Sequence, residues 1–545
     1  MKKKQFFTLL QLCFAVFAMN ACAQTGLPTI AITTSTPLNA QQKVTAHLHA
    51  GDFDGAIGIK LRGNSSLAFN QKKYTLETRD ADGKELDVSL LGLPAHSEWV
   101  LLAPYNDISM MRDPLAFQLW RDMGHWGPRT VMCELTLDGD YRGIYILAEA
   151  IKRGKDRVNI SKLKKSDTAG RDVTGGYLLR IDTYNDDDAT FTSKVPGIGE
   201  GNMTSEVVWS CIYPKKKNLQ PEQFAYIQSY VDTVEQVIQS DDFADPMKGY
   251  AHYIDVPSFV DYFIHTELSL NADGYKRSAY FYKEKLHEDG SGGKLFAGPV
   301  WDYNLAYGNC NFANANNLEA WCFEGASNNP TPALWQRLLQ DPNFRKAVKQ
   351  RYVELRKGVL STEAINAYID RQAQMLAEAK DRHFQTYPEL LVSEERKQQL
   401  AEQQQTGGFP FMGAFPPMGT FPPMDSLPPM GAFPPMGAFP PMDSMPPMGE
   451  GFPPMGAFPP MDSMPPMGEG FPPMGAFPFD AVGMFAAYRV SSYEEEIKIL
   501  KQWLAYRLAF LDSQIARFDS DWQPRIQPLV EKKMQFPSGA FPFGR

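Results

Sequence analysis

Gly298-Pro-Val-Trp-Asp302-Tyr-Asn304-Leu-Ala-Tyr-Gly308 ends what reads as a strand on a carboxylate, and Leu270-Asn-Ala-Asp273-Gly-Tyr-Lys-Arg-Ser278 carries a second one upstream. Between them, Ala279-Tyr-Phe-Tyr-Lys-Glu-Lys and Lys294-Leu-Phe-Ala-Gly-Pro-Val300 flank the turn residues Asp289-Gly290-Ser-Gly-Gly293, the pattern of a β-hairpin. A helix-like stretch, 256–270, leads into Asp273. A ribbon of this kind folds two positions distant in sequence into one cleft, so the order helix, acidic loop, hairpin, acidic strand end sets the expected architecture.

Outward from that centre, bulk properties narrow the classes. The chain has 545 residues, and its net charge of −9 supplies no phosphate-neutralising stripe, which argues against nucleic-acid binding. Lys215-Lys-Lys217 reads as a solvated turn. At the N-terminus, Lys2-Lys-Lys4 precedes an apolar run from Phe6 to Ala18 and then Met19-Asn-Ala-Cys22. That is the layout of an export signal, too short for a membrane span, with Cys22 placed as the lipidated residue of a lipobox. The expected location is therefore the cell envelope, periplasmic or outer-membrane surface, with a membrane contact through the lipid. Setting aside Cys13 and Cys22 of the signal, four cysteines remain (Cys133, Cys211, Cys310 and Cys322); Cys310 with Cys322 is the first pairing to expect in an oxidising compartment, and buried free thiols are the alternative.

Residues 28–160 read as β-rich. Gly58-Ile-Lys-Leu-Arg62 and Lys73-Tyr-Thr-Leu-Glu77 alternate like strands, a helix is expected to start at Asp113 as its cap, and strands at Val131–Leu137 and Gly143–Leu147 flank the turn residues Asp138-Gly139. From Pro332 to about Gln404 the pattern is helical, and a last helix is expected over about 492–518 with Leu500, Leu504, Leu508 and Leu511 in one stripe. Between these helices Pro-Pro-Met recurs ten times from Pro416 to Met474. Prolines so dense exclude helix and sheet, so the tract reads as an extended insertion. The expected domains are a signal with lipobox at 1–22, a folded domain at 28–406, the repeat insertion at 407–482, a terminal helix at 483–520 and a tail at 521–545.

Helix, acidic loop, hairpin and acidic strand end also follow one another where protein kinases present a catalytic Asp and a metal-binding Asp. Arg62-Gly-Asn-Ser-Ser66 with Lys72-Lys73-Tyr74, Tyr141-Arg-Gly-Ile-Tyr-Ile-Leu-Ala-Glu149, Gly175-Gly-Tyr-Leu-Leu-Arg-Ile-Asp182, Asn271-Ala-Asp273 and Pro299-Val-Trp-Asp302-Tyr-Asn304 occur in one order. On these pieces the chain resembles the spore-coat CotH kinase family, in the form found among exported lipoproteins of Bacteroides-like bacteria. The resemblance implies an α+β, atypical protein-kinase-like two-lobed fold, with a β-rich N-lobe, a helical C-lobe and here a Pro-rich low-complexity insertion. It implies an enzyme that takes ATP and Mg2+ or Mn2+ and phosphorylates Ser or Thr on an exported protein. Carried over, Asp273 is the catalytic carboxylate. Asp302, with Asn304, is the metal ligand set. Arg62, Ser65 and Ser66 take the place of the phosphate loop. Lys73 (with Lys72 competing) neutralises the phosphates, and Glu149 contacts the nucleotide or pairs a lysine.

Two positions depart from the pattern. Five residues after Asp273, where kinases place a metal-binding Asn, stands Ser278, and residue 180 is Arg where an acid is expected. A surface-anchored pseudokinase scaffold displaying the Pro-rich repeats is therefore the alternative reading, and transfer of a nucleotidyl group a third. A serine hydrolase lacks its Gly-x-Ser-x-Gly elbow, and the histidines form no close helical metal pair. His47 and His49 share one face of an expected strand, which reads as a solvated face.

Overall fold

Val44, Ala46, Leu48 and Ala50 are buried while Thr45, His47 and His49 between them are exposed, the two-residue period of a strand with one wet face. Strands with such a wet face, together with more fully buried ones, close a barrel between residues 29 and 149. The computed structural model describes residues 26–395, 397 and 488–523. The expected signal with Cys22, the Pro-Pro-Met tract and the end of the tail lie outside the described residues. Seven strands, β1 (Thr29–Thr33), β2 (Val44–Ala50), β3 (Phe53–Arg62), β4 (Lys73–Thr78), β5 (Glu98–Leu102), β6 (Thr130–Leu137) and β7 (Asp140–Glu149), are arranged β1-β2-β3-β4-β5-β7-β6 around the closed barrel. Neighbours are antiparallel except at the seam, where β1 runs parallel to β6 with Ile30 opposite Leu135. Asp138 and Gly139 join β6 to β7 with φ of 55° and 87°, the left-handed pair that a tight hairpin turn requires. Ile30, Leu48, Ile59, Leu76, Trp99 and Leu147 fill the interior.

Helix α1 (Arg112–Asp122) comes between β5 and β6. Beyond the barrel come β8 (Tyr177–Ile181), β9 (Ala189–Thr192), β10 (Gly197–Gly199), β11 (Met203–Ser205), β12 (Val208–Tyr213), α2 (Pro221–Gln239) and α3 (Val256–Ser269). Then follow β13 (Ala279–Lys283), β14 (Leu295–Ala297), β15 (Thr331–Pro332), α4 (Ala333–Leu338), α5 (Pro342–Arg356), α6 (Thr362–Leu376), α7 (Ala379–Thr386) and α8 (Tyr493–Ile515). A five-stranded sheet is ordered β14-β13-β8-β12-β9, and a three-stranded sheet β11-β10-β15.

This corrects the expected fold class. A two-lobed kinase-like fold with a helical C-lobe is not what the chain forms: the β-rich first part is a closed seven-stranded barrel, and the second part mixes two further sheets with its helices. Closure depends on the pairing of β1 with β6, about a hundred residues apart, which alternation within each strand does not encode. The five-stranded sheet is likewise built from strands separated by helices and loops.

The last helix joins this body as its stripe predicts. Ser492 caps α8 by accepting from the Glu495 N–H at 3.1 Å, and Leu500, Leu504, Leu508, Leu511 and Ile515 are buried. Arg507 is buried with them. Its guanidinium donates to the backbone carbonyls of Glu267 (2.8 Å), Leu318 (2.6 Å) and Ala320 (2.7 Å) and faces the Glu267 carboxylate at 3.4 Å. Val392 N–H donates to Val490 C=O at 3.0 Å, and Lys397 pairs with Glu495 at 2.5 Å, so the chain leaves and re-enters this body at one place. The four cysteines 133, 211, 310 and 322 are free thiols, not the expected Cys310–Cys322 disulfide.

Candidate functional site

On the outer face of the barrel, Arg62 at the end of β3 stands opposite Lys73 at the start of β4. Directly paired strand residues present their side chains on the same face. These two cations meet two consecutive residues of one segment: the Arg62 guanidinium lies 5.3 Å from the ring centre of Trp301, and Lys73 Nζ lies 3.8 Å from Asp302 Oδ1. Trp301 is also stacked against Phe117 of α1. Lys73 is buried, while 41% of the Asp302 side chain remains exposed. Lys72, the competing lysine, turns the other way and donates to the carbonyls of Leu67 and Phe69, holding the loop after Ser65 and Ser66 in place. Those two serines lie in a short 3-10 turn, and Ser66 Oγ packs so close over Gly63 that a Cβ there would lie 2.0 Å from it.

Asp273 and Asp302 flank the hairpin, one before it and one after it. Asp255 caps α3 by accepting from Ser258 N–H, and the helix stops at Leu270, whose φ of 47° is left-handed. The turn that follows carries Asp273. After β13 and β14 pair, with Phe281 opposite Ala297, the chain passes Gly298, where a Cβ would lie 2.5 Å from the Trp120 ring, and reaches Asp302. Asp302 itself has a φ of 65°, unusual for a residue with a side chain. Asn271 links the two ends: its amide donates to the Asp302 carbonyl at 3.3 Å, and its Oδ1 accepts from the Asp273 N–H at 3.2 Å. One side chain thus fixes the spacing of both acidic residues.

Electrostatics mark the pair as a charged cluster. Burial first, then the nearby Asp302 and Asp182 charges, push the Asp273 carboxyl up to about 6, against the opposing pull of Arg277 at 3.4 Å. Asp113 is a third carboxylate, foreseen in sequence only as a helix cap. Instead α1 begins one residue earlier, at Arg112, and Asp113 Oδ1 accepts from the Tyr303 N–H at 2.6 Å, pinning the backbone just after Asp302. Burial, and then the Asp302 charge, push Asp113 up to about 7. A capping Asp and a buried loop-holding Asp look alike in sequence, so no local signal separated them.

The other expected residues have different surroundings. The Asn304 amide donates to Asn106 Oδ1 at 2.9 Å, within a buried knot that includes Asn309. Glu149 is buried at the end of β7 between Arg129, at 2.6 Å, and Arg157, so arginines rather than Lys73 hold its carboxylate. The structure therefore brings together Arg62, Lys73, Asp273 and Asp302, adds Asp113 and Asn271, and places Glu149 in an arginine cluster of its own. Ser278 has a φ of 49° at the entrance to β13. A half-exposed aspartate facing a lysine, with a second proton-attracting carboxylate held nearby, is a donor set suited to a hard divalent ion and a polyphosphate.

Comparison with known proteins places the chain in a family. Over 250 residues the chain is 23% identical to the inner spore coat protein H of Bacillus subtilis (strain 168), covering 46% of this chain and 59% of that protein. The chain thus spans less than two thirds of that relative's length. Residues 59–406 match the family described as CotH kinase protein, a span that holds Arg62, Lys73, Asp113, Asp273 and Asp302. With well over half of its residues inside that match, the chain belongs to the CotH kinase protein family.

Proposed function

We propose that this chain is a phosphotransferase that moves the γ-phosphoryl group of ATP, with Mg2+ or Mn2+, to a serine or threonine hydroxyl of an exported protein. The observation that carries the reading is the Lys73–Asp302 pair at 3.8 Å, tied through Asn271 to the Asp273 turn. Phosphoryl transfer asks little covalent chemistry of the protein and much positioning and charge neutralisation. Lys73 is held by the barrel wall, where its ammonium offsets phosphate charge, and Arg62 braces Trp301 beside it. Asp302 would hold the divalent ion. Held there, such an ion would supply charge neutralisation to a polyphosphate. Asp273 orients the acceptor hydroxyl and takes its proton, a role that suits a carboxyl raised to about 6 by burial and neighbouring charge. Asn271 and Asp113 keep the Asp302 backbone in its left-handed conformation, so the carboxylate does not have to search for its position. In the same reading, lipidation of Cys22 anchors the domain at the cell envelope, where its protein substrates are secreted or surface proteins; no nucleic acid takes part.

The test is transfer of labelled phosphate from ATP to candidate envelope proteins in Mg2+ or Mn2+. Asp302→Asn and Lys73→Met should each lower transfer by roughly 100-fold or more, the scale expected when a charge aimed at the transferring group is removed. Equal transfer by Asp302→Asn would overturn the reading. If Mg·ATP leaves the melting temperature unchanged and no acceptor is labelled, the scaffold alternative prevails.

A further inference from the structure

We propose that His47, His49 and Asp54 form a binding site for a borderline-soft divalent metal ion, Zn2+ foremost, on the outer wall of the barrel. The site shares no residue with the Lys73–Asp302 pair and does not depend on the phosphotransfer reading. His47 and His49 alternate along β2 with the buried Ala46, Leu48 and Ala50, so both imidazoles leave the same face. On the neighbouring β3, Asp54 stands directly opposite His49, and Ala56 opposite His47. The Asp54 carboxylate reaches both rings: His47 Nε2 lies 2.7 Å from Oδ1, and His49 Nδ1 lies 3.2 Å from Oδ2.

Two features separate this cluster from a merely wet strand face. First, the strand register converges two nitrogens and a carboxylate, the mixed donor set that selects Zn2+ or a similar transition metal over the all-oxygen sites of Mg2+ and Ca2+. Second, the surroundings leave room. The three side chains are 53%, 56% and 62% exposed, and the residues opposite the histidines include Ala31 on β1 and Ala56 on β3. In the metal-free arrangement the two ring nitrogens sit on different oxygens of the Asp54 carboxylate, so binding requires these exposed side chains to turn until each donor lies about 2.0–2.2 Å from a common centre. Three protein ligands leave a fourth tetrahedral position to water or to a donor from a partner molecule. Because the ladder between β2 and β3 fixes the spacing, the site is built into the barrel rather than into a loop.

The experiment is calorimetric titration of the full chain, stripped with chelator, with Zn2+ in excess Mg2+, followed by Co2+ substitution. The expected result is one Zn2+ per chain at this site, and a Co2+ absorption spectrum free of a thiolate charge-transfer band. Loss of an outer-shell partner alone costs metal sites about 10- to 100-fold in affinity, so His47→Ala and His49→Ala should each weaken binding by at least about 10-fold. Asp54→Asn should weaken it too, with circular dichroism unchanged because all three side chains are exposed. The proposal is overturned if the wild-type chain binds no Zn2+, if the His47→Ala/His49→Ala double variant binds as tightly, if Asp302→Asn rather than these variants removes the binding, or if cobalt shows a thiolate band.

Discussion

Arg507→Met should cost the fold about 3–4 kcal/mol at pH 8, the lower part of the range for breaking a buried ion pair. The arginine side chain has no exposed surface and donates to three backbone carbonyls besides facing Glu267. Methionine fills much of the same space and donates nothing. The Glu267 carboxylate keeps three donors (the Cys322 and Phe323 N–H groups at 2.9 Å and the Tyr275 hydroxyl at 3.0 Å), which is why the cost falls short of the upper end. The pH dependence follows from the sign of the Glu267 shift. Burial pushes that carboxyl up to about 7, and Arg507 works against it, so removing Arg507 raises it further. A carboxyl whose folded pKa lies above its unfolded value stabilises the fold while protonated and loses that contribution as pH rises through the folded value. The deficit of the variant should therefore shrink on going from pH 8 to pH 6. Urea unfolding followed by tryptophan fluorescence reads this directly, since Trp321 and Trp503 lie in the same region of packing. A deficit under about 1 kcal/mol, or the same deficit at both pH values, would refute the view that this ion pair fastens α8 to α3.

Two further outcomes are expected. Glu235 is buried with Oε1 accepting from Trp209 Nε1 at 3.1 Å, and burial pushes its carboxyl up to about 7. Glu235→Gln keeps that acceptor and should stabilise the fold by roughly 1–3 kcal/mol at pH 8, with the gain fading below about pH 5, as measured by thermal melts across pH. Asp113→Ala removes the acceptor of the Tyr303 N–H and should cost about 1–3 kcal/mol, with faster hydrogen exchange across 300–305, whereas Asp113→Asn retains the acceptor and most of the protection; equal exchange in both variants would contradict the assignment.

What could be read from the chain was whatever depends on neighbours in sequence. The helix into Asp273, the β13–β14 hairpin, the turn at Asp138-Gly139 and the last helix with its apolar stripe all follow from local periodicity and turn chemistry, and each is present. The barrel was not legible, because its seam joins Thr29–Thr33 to Thr130–Leu137 and apolar alternation carries no information about partners. The same limit applies within the site. Lys73 and Asp302 could be nominated as residue types in the right order, yet only the folded chain shows Asn271 bonded toward both acidic turns, Asp113 behind Tyr303 and Glu149 held by arginines. Two of these are residues whose chemistry is ordinary in a cap or a turn. Burial, a property of the whole fold, is what changes their part.

The close approach of Val392 to Val490, reinforced by Lys397 and Glu495, has a bearing on how this gene can change. Both ends of the intervening stretch are already clamped together, so a change of length between them leaves these contacts in place. Copies of the Pro-Pro-Met unit can therefore be gained or lost without displacing the residues that hold Val392 beside Val490. Alleles of differing repeat number should melt at nearly one temperature, leaving selection on the tract free of any constraint from folding.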